Sequence, residues 1–196
     1  MRGSRFTDEF ATVGRRLGNA AADYAIEARA ALSSLGITLP EGLAPDDLAR
    51  ITMLLEAAGS LPGAEFEALA TECYRYGDSR ERCAVLRTLP YLPEPRRFVA
   101  LAASACRTHV IPIFEAIACD NAYPALHFPA GHFNQMVLRV LYSGFALDRI
   151  VNLDQRLSKD LARMARSYEE EQRNAGRKAP PDIERLYALA PADKNP

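Results

Sequence analysis

Residues 45–55 read Pro45-Asp46-Asp47-Leu48-Ala49-Arg50-Ile51-Thr52-Met53-Leu54-Leu55. Proline is tolerated at the first position of a helix, where its missing N–H has no partner to lose. The two carboxylates behind it sit in the first turn, where the helix dipole favours negative charge. Leu48, Ile51, Leu54 and Leu55 then recur at three- and four-residue steps, which puts them on one buried face. The stretch predicts an amphipathic helix, and the same grammar extends outward in both directions. Upstream, Phe6, Phe10, Val13, Leu17, Ala21, Tyr24, Ala28, Ala31 and Leu35 form one apolar stripe, read as a single long helix that ends at Gly36. Downstream, Pro62 opens a third helix carrying Phe66, Leu69, Ala70 and Cys73, closed near Gly77. Asp78 and Glu81 have the spacing of a capping box and start a short helix with Cys83, Leu86 and Leu89. Pro90, Pro93 and Pro95 interrupt the chain. Helices are expected over 94–108, 111–118 and 132–142, with a short one near 147–153. Ser158 caps a charged helix ended by Gly176, and Pro180 and Pro181 open a last turn through Tyr187.

No alternating β-branched run of strand length interrupts this pattern, so the fold class is all-α. Short helices joined by Pro/Gly turns suggest an irregular helical-hairpin array of the α-solenoid, HEAT-like kind, with an orthogonal helix bundle as the alternative. No fixed repeat period is present. Residues 1–60 are expected to supply two helices that pack on a core domain over 61–187, and 188–196 to form a frayed tail.

At 196 residues, with 48% hydrophobic and 25% charged residues, the composition is that of one globular core. Lys and Arg total 24 against 25 Asp and Glu, and this near-neutral balance speaks against a general nucleic-acid binder. No apolar run approaches the ~18 residues of a membrane span, and charge returns at Asp8 and Glu9, so neither a transmembrane segment nor a leader is expected. The expected compartment is the cytoplasm. Cys73, Cys83, Cys106 and Cys119 form no CxxC pair and lie in apolar helical patterns, which reads as reduced core thiols.

Chemistry, if the chain has any, concentrates after residue 105. His109, His127 and His132 stand near Cys106, Glu115, Cys119 and Asp120, which are metal-ligand residue types. Yet His127 and His132 are five apart across a Pro-Ala-Gly break and do not share a helix face, so neither a metal nor another cofactor is expected. A nucleophilic Cys119 is also disfavoured, because the C-terminal end of a helix raises a thiol pKa. The run 119–131 has no period and holds two prolines, so it is read as an irregular loop. Asp120 and Asn121 suit an Asx turn that caps neighbouring helices. The rings of Tyr123, His127 and Phe128, with a few polar groups, equally suit a small-molecule pocket. Asn134 and Gln135 follow at the start of an apolar helix, and one of them should face inward and need partners. Arginine dominates the basic residues, which suits a GC-rich genome. Arg80, Arg87 and Arg107 could line a positive groove for an anion, although a solvated face is the plainer account. Arg156, Lys159, Arg163 and Arg166 beside Glu169, Glu170 and Glu171 read as charge-paired helix surface. With Leu161, Met164 and Tyr168 that surface could also dock a partner or touch a membrane peripherally.

The string Cys119-Asp120-Asn121-Ala122-Tyr123-Pro124, then His127-Phe128-Pro129 and Phe133-Asn134-Gln135-Met136-Val137-Leu138, resembles the signature of the EboA-type protein family. Arg149-Ile150, Leu161 to Ala165, Ala175-Gly176-Arg177 and Pro181-Asp182-Ile183 also match, as do Gly77-Asp78 and Leu86 to Pro90. The resemblance covers about residues 75–185. Members of that family are encoded in bacterial operons beside a membrane prenyltransferase, hydrolase- and isomerase-like proteins and a sugar-cyclase-like enzyme. The resemblance therefore implies a part in making or trafficking a secondary metabolite, toward the cell envelope, and supplies no reaction. It also implies an asparagine where this chain has His109 and a small residue such as glycine where it has Asn152.

Three functions follow. The first is a non-catalytic pathway protein that binds a small-molecule metabolite or a pathway partner through Arg107, Asp120, Asn121, Tyr123, His127, His132, Asn134 and Gln135. The second is a lyase or isomerase with Asp120 and His127 as base and acid. The third is a helical adaptor whose loop merely ties two helices together. The oligomeric state is not encoded in any of these features.

Overall fold

The computed structural model describes residues 2–188, and every regular element among them is helical. The expected all-α class is what the chain adopts. Of the tail expected over 188–196, Ala188 ends the last helix and the rest lies outside the described residues. Contacts divide the chain into two compact units, Met1–Asp120 and Asn121–Pro196.

The first unit contains α1 (Arg2–Leu17), α2 (Ala21–Ser34), α3 (Pro45–Ser60), α4 (Gly63–Tyr76), α5 (Ser79–Thr88), α6 (Val99–Ala105) and α7 (Ile111–Ala118). Helix α5 packs on α3 and α7, its neighbours two helices away along the chain, while α1 and α2 pack on α3. Phe10, Leu48, Ile51, Leu54, Phe66, Leu86, Leu89, Phe98, Ile113 and Phe114 form its core. Each such side chain contributes roughly 1.5–3 kcal/mol by leaving water.

Two expectations fail here. The long first helix is broken into α1 and α2 by a 3-10 turn over Gly18–Ala20, with Gly18 at φ +49°. A left-handed residue cannot continue a right-handed helix. The break resets the apolar phase, so Leu32 is buried and Leu35 is 74% exposed. The helix expected over 94–108 is shortened to α6, because Glu94 is left-handed and Pro95–Phe98 form a 3-10 turn.

The caps hold as read. Asp78 accepts hydrogen bonds from the Arg80 and Glu81 amides, and the Glu81 carboxylate accepts from the Asp78 amide at 2.9 Å. This box closes tightly over Gly77. A Cβ there would overlap the Cys73 carbonyl oxygen and fall 2.7 Å from Glu81 Oε2. Gly77→Ala is expected to cost about 2 kcal/mol, as overpacking does. A denaturant midpoint unchanged from wild type would show that the α4–α5 turn relaxes freely.

The carboxylates in the first turn of α3 take arginine partners that the sequence pattern did not assign. Arg50 is buried; it donates to the Phe10 carbonyl at 3.1 Å and to Asp46 at 2.6 Å. Arg80 reaches the other Asp46 oxygen at 2.5 Å and Asp47 at 3.4 Å. Of the three arginines considered for a positive groove wall, Arg80, Arg87 and Arg107, Arg80 is thus neutralised by two carboxylates, in keeping with the plainer account of a solvated face. Burial alone would raise the Asp46 pKa, but the hydrogen bond from Arg50 and the charges of Arg80 and Arg50 outweigh it and hold the group below its ordinary 3.8. A carboxylate with a depressed folded-state pKa stabilises the fold above its unfolded value, and loses that contribution as pH falls through the folded one. The stability gap between wild type and Asp46→Asn is expected to narrow as pH drops from about 6 to about 3. A gap independent of pH in urea titrations would remove Asp46 from the acid response.

The second unit contains α8 (Tyr123–His127), α9 (Ala130–Tyr142), α10 (Lys159–Asn174) and α11 (Arg185–Ala188). Helix α10 packs on both α9 and α11. Ser158 caps α10 by accepting from the Leu161 amide at 3.2 Å. The short helix expected near 147–153 is instead two 3-10 turns, Leu147–Arg149 and Leu153–Arg156, separated by left-handed Asn152 at φ +57°. Asparagine tolerates that region and glycine prefers it. If the small residue implied at this position by the family resemblance is glycine, that dihedral is its physical reason.

Candidate functional site

The run 119–131 is not wholly irregular, as the sequence reading had it. Pro124, in the first turn of α8, starts a single helical turn and a half. The Leu126 amide donates to the Ala122 carbonyl, and the Phe128 amide to that of Pro124. Asn121 is buried, and its side-chain oxygen accepts from the Tyr123 amide at 2.9 Å. That is an Asx turn, the capping use considered for this pair. Asp120 itself is exposed and left-handed, at φ +54°, and closes the first unit.

Rings organise the start of the second unit. Tyr123 is fully buried, its centroid 4.8 Å from His127 and 6.1 Å from Phe128. Phe128 meets His132 edge-on at 6.1 Å. Burial pushes the Tyr123 hydroxyl pKa up, so it stays protonated at neutral pH. Of the two amides, Asn134 is buried and Gln135 exposed. Among the described residues, no buried side-chain N or O lacks a hydrogen-bond partner. Asn121, Tyr123 and Asn134 thus face inward. His132 and Gln135, three apart on α9, share an exposed face, with half-buried His127 and 55%-exposed Leu126 preceding them.

Arg156 is the residue that sequence reasoning misplaced. It does not sit on the charged surface of α10. Its guanidinium donates to the carbonyls of Ala125 and, at 2.8 Å, Phe128, and lies 4.5 Å from the Phe133 ring centroid. Two carbonyls freed at the end of α8 are bound by one planar fork, and the apolar face of that fork is covered by an aromatic ring. Nothing local announces this pairing, which spans 31 and 28 residues.

Arg107 and His109 are exposed and belong to the first unit, in the stretch between α6 and α7. The four cysteines are thiols not joined in disulfides, and Cys73, Cys83 and Cys119 are buried. Burial, with the charges of Glu72 and Glu81 behind it, pushes the Cys73 thiol up to about 12. Among the described residues, no group of three or more His, Cys, Asp and Glu is placed to hold a metal ion, and no helix is long and apolar enough to cross a membrane.

The motif that gave the family resemblance is therefore a compact device. Inward rings and amides, closed by Arg156, hold up a small exposed face. Neither the curated proteins nor the solved structures compared with the chain include a match. A family model described as metabolite traffic protein EboA does match, and it runs over residues 2–188, far beyond the stretch in which the resemblance was read; the chain belongs to the EboA family.

Proposed function

We propose that this chain is a non-catalytic component of metabolite traffic that holds a small molecule or a pathway partner at the exposed face of residues 121–135. The observation that carries this reading is the Arg156 clamp. Its two donated hydrogen bonds and its contact with the Phe133 ring immobilise a short segment whose outer side chains remain accessible. Immobilising a loop in advance lowers the entropic cost of binding through it. His132 and Gln135 supply donors and acceptors on one face, and Leu126 supplies apolar contact. Membership in a family described as metabolite traffic proteins supports handling of a metabolite rather than its conversion. Asn121, Tyr123 and Asn134 serve here by holding the segment.

Native mass spectrometry tests this. The purified chain is weighed before and after incubation with an extract of its host. The expected result is a discrete added mass that disappears in the His132→Ala, Gln135→Ala double variant. Because both residues are exposed, the double variant should fold. No added mass, or one that survives the double change, overturns the assignment.

A further inference from the structure

A second binding feature lies entirely within the first unit. Side chains of α1, α3 and α4 border a groove of about 610 Å³. That volume falls within the range of roughly 300–1,000 Å³ typical of small-molecule sites. Its floor is apolar, with Phe6, Met53 and Leu69 among the lining. Its ionisable lining is of one sign: Glu9, Glu56, Glu65 and Glu72. Glu9 is compensated by Arg5 at 3.1 Å and Arg16 at 3.9 Å. Glu56, Glu65 and Glu72 are exposed and enter no ion pair among the described residues.

Three carboxylates with no ion-pair partner among the described residues, set around an apolar floor, repel fatty acids, phospholipid phosphates and other anions. They also make the groove a poor seat for a neutral hydrocarbon alone, since the rim stays hydrated. Charge and polarity are complementary to one class of ligand, an apolar body that carries a cationic head. The α3 side of the groove runs from Met53 to Ser60, two helical turns or about 10 Å. That length suits a small amphiphile better than an extended helical segment. We infer that this groove binds lipophilic organic ammonium ions, with the alkyl or aryl part over Phe6, Met53 and Leu69 and the nitrogen drawn to the negative rim that Glu56, Glu65 and Glu72 give the groove. The site owes nothing to the 121–135 segment, so either assignment can fail without the other.

The test uses the full chain with methionine methyl groups labelled for NMR. Met53 reports on the groove, and Met136 and Met164, in the second unit, serve as controls. Octylammonium, 1-octanol and octanoate are titrated separately, each below its aggregation threshold. The expected result is a saturable shift of the Met53 methyl with octylammonium, about tenfold tighter than with octanol and weaker still with octanoate, as two or three half-screened charge contacts would give. The combined Glu56→Gln, Glu65→Gln, Glu72→Gln variant is expected to bind octanol as before and to lose the preference for octylammonium. These are surface changes, and unchanged octanol binding at the Met53 methyl, with unaltered control methyl signals, establishes that both units of the variant are folded. An unmoved Met53 signal, equal affinity for octanol or octanoate, or a preference that survives the triple change would each overturn the assignment.

Discussion

Arg50→Met is expected to lower the free energy of unfolding by about 3–5 kcal/mol, the loss typical when one partner of a buried ion pair is removed. The Arg50 side chain is only 5% exposed, so solvent screens little of the effect. Its Nε donates to the Phe10 carbonyl at 3.1 Å, and its Nη1 donates to Asp46 at 2.6 Å. Methionine fills much of the volume but returns neither hydrogen bond. The Phe10 carbonyl is left without that donor, and Asp46 keeps only the half-exposed Arg80. Equilibrium urea unfolding at neutral pH checks this through the midpoint at constant slope. The double variant Arg50→Met, Asp46→Leu should recover part of the loss, because the stranded carboxylate is then gone. A single-variant loss below about 1 kcal/mol would mean that the α1–α3 contact rests on its apolar side chains alone.

Arg156→Met is expected to act more locally. A hydrogen bond from a charged donor contributes about 1.5–3 kcal/mol net, and a cation over a ring adds about 0.5–2 kcal/mol. Arg156 is half-buried, so a total near 3 kcal/mol is the appropriate scale. The loss should fall on the segment the fork holds. The Leu126, Phe128 and Phe133 amides donate to Ala122, Pro124 and Pro129. Their hydrogen-exchange protection should drop in the variant, while that of α3 and α5 stays as in wild type. Arg156→Lys should recover little, since an ammonium cannot span two carbonyls as a planar guanidinium does. Unchanged protection at those three amides would show that α8 stands without the clamp, and would remove the main support for a preformed binding face.

The contrast between these two arginines and the rest of the chain shows what a sequence can carry. Caps are local, so Asp78 with Glu81 and Ser158 with Leu161 could be read from spacing of three residues. The all-α class followed from apolar periodicity, which also depends only on near neighbours. Besides Asp46 four residues back, Arg50 finds the Phe10 carbonyl 40 residues away, and Arg156 finds its two carbonyls 31 and 28 residues away; no local window contains both ends of these long-range bonds. The break after α1 was missed for a different reason. A single Gly18 inside an apolar stripe is a weak signal, because glycine is tolerated within helices at about 1 kcal/mol. The helix α8 was missed because five residues are too few to show a period. Within the candidate site, the residue types of Asn121, Tyr123, His132, Asn134 and Gln135 could be named in advance. Which of them face inward was settled only by the packing of rings around Tyr123.

The buried thiols give the first unit a built-in stopwatch. Cys73 on α4, Cys83 on α5 and Cys119 just past α7 are sealed from solvent, and Cys83 further donates to the Pro112 carbonyl at 3.3 Å. Only a thiolate attacks an alkylating reagent, and a thiol poised near 12 supplies almost none at neutral pH while it stays enclosed. Each modification of Cys73 must therefore wait for an opening of its surroundings. Half-buried Cys106 keeps a separate and faster clock. Timed alkylation read by mass would then rank the lifetimes of α4, α5 and α7 in the native ensemble, with no engineered label and no denaturant.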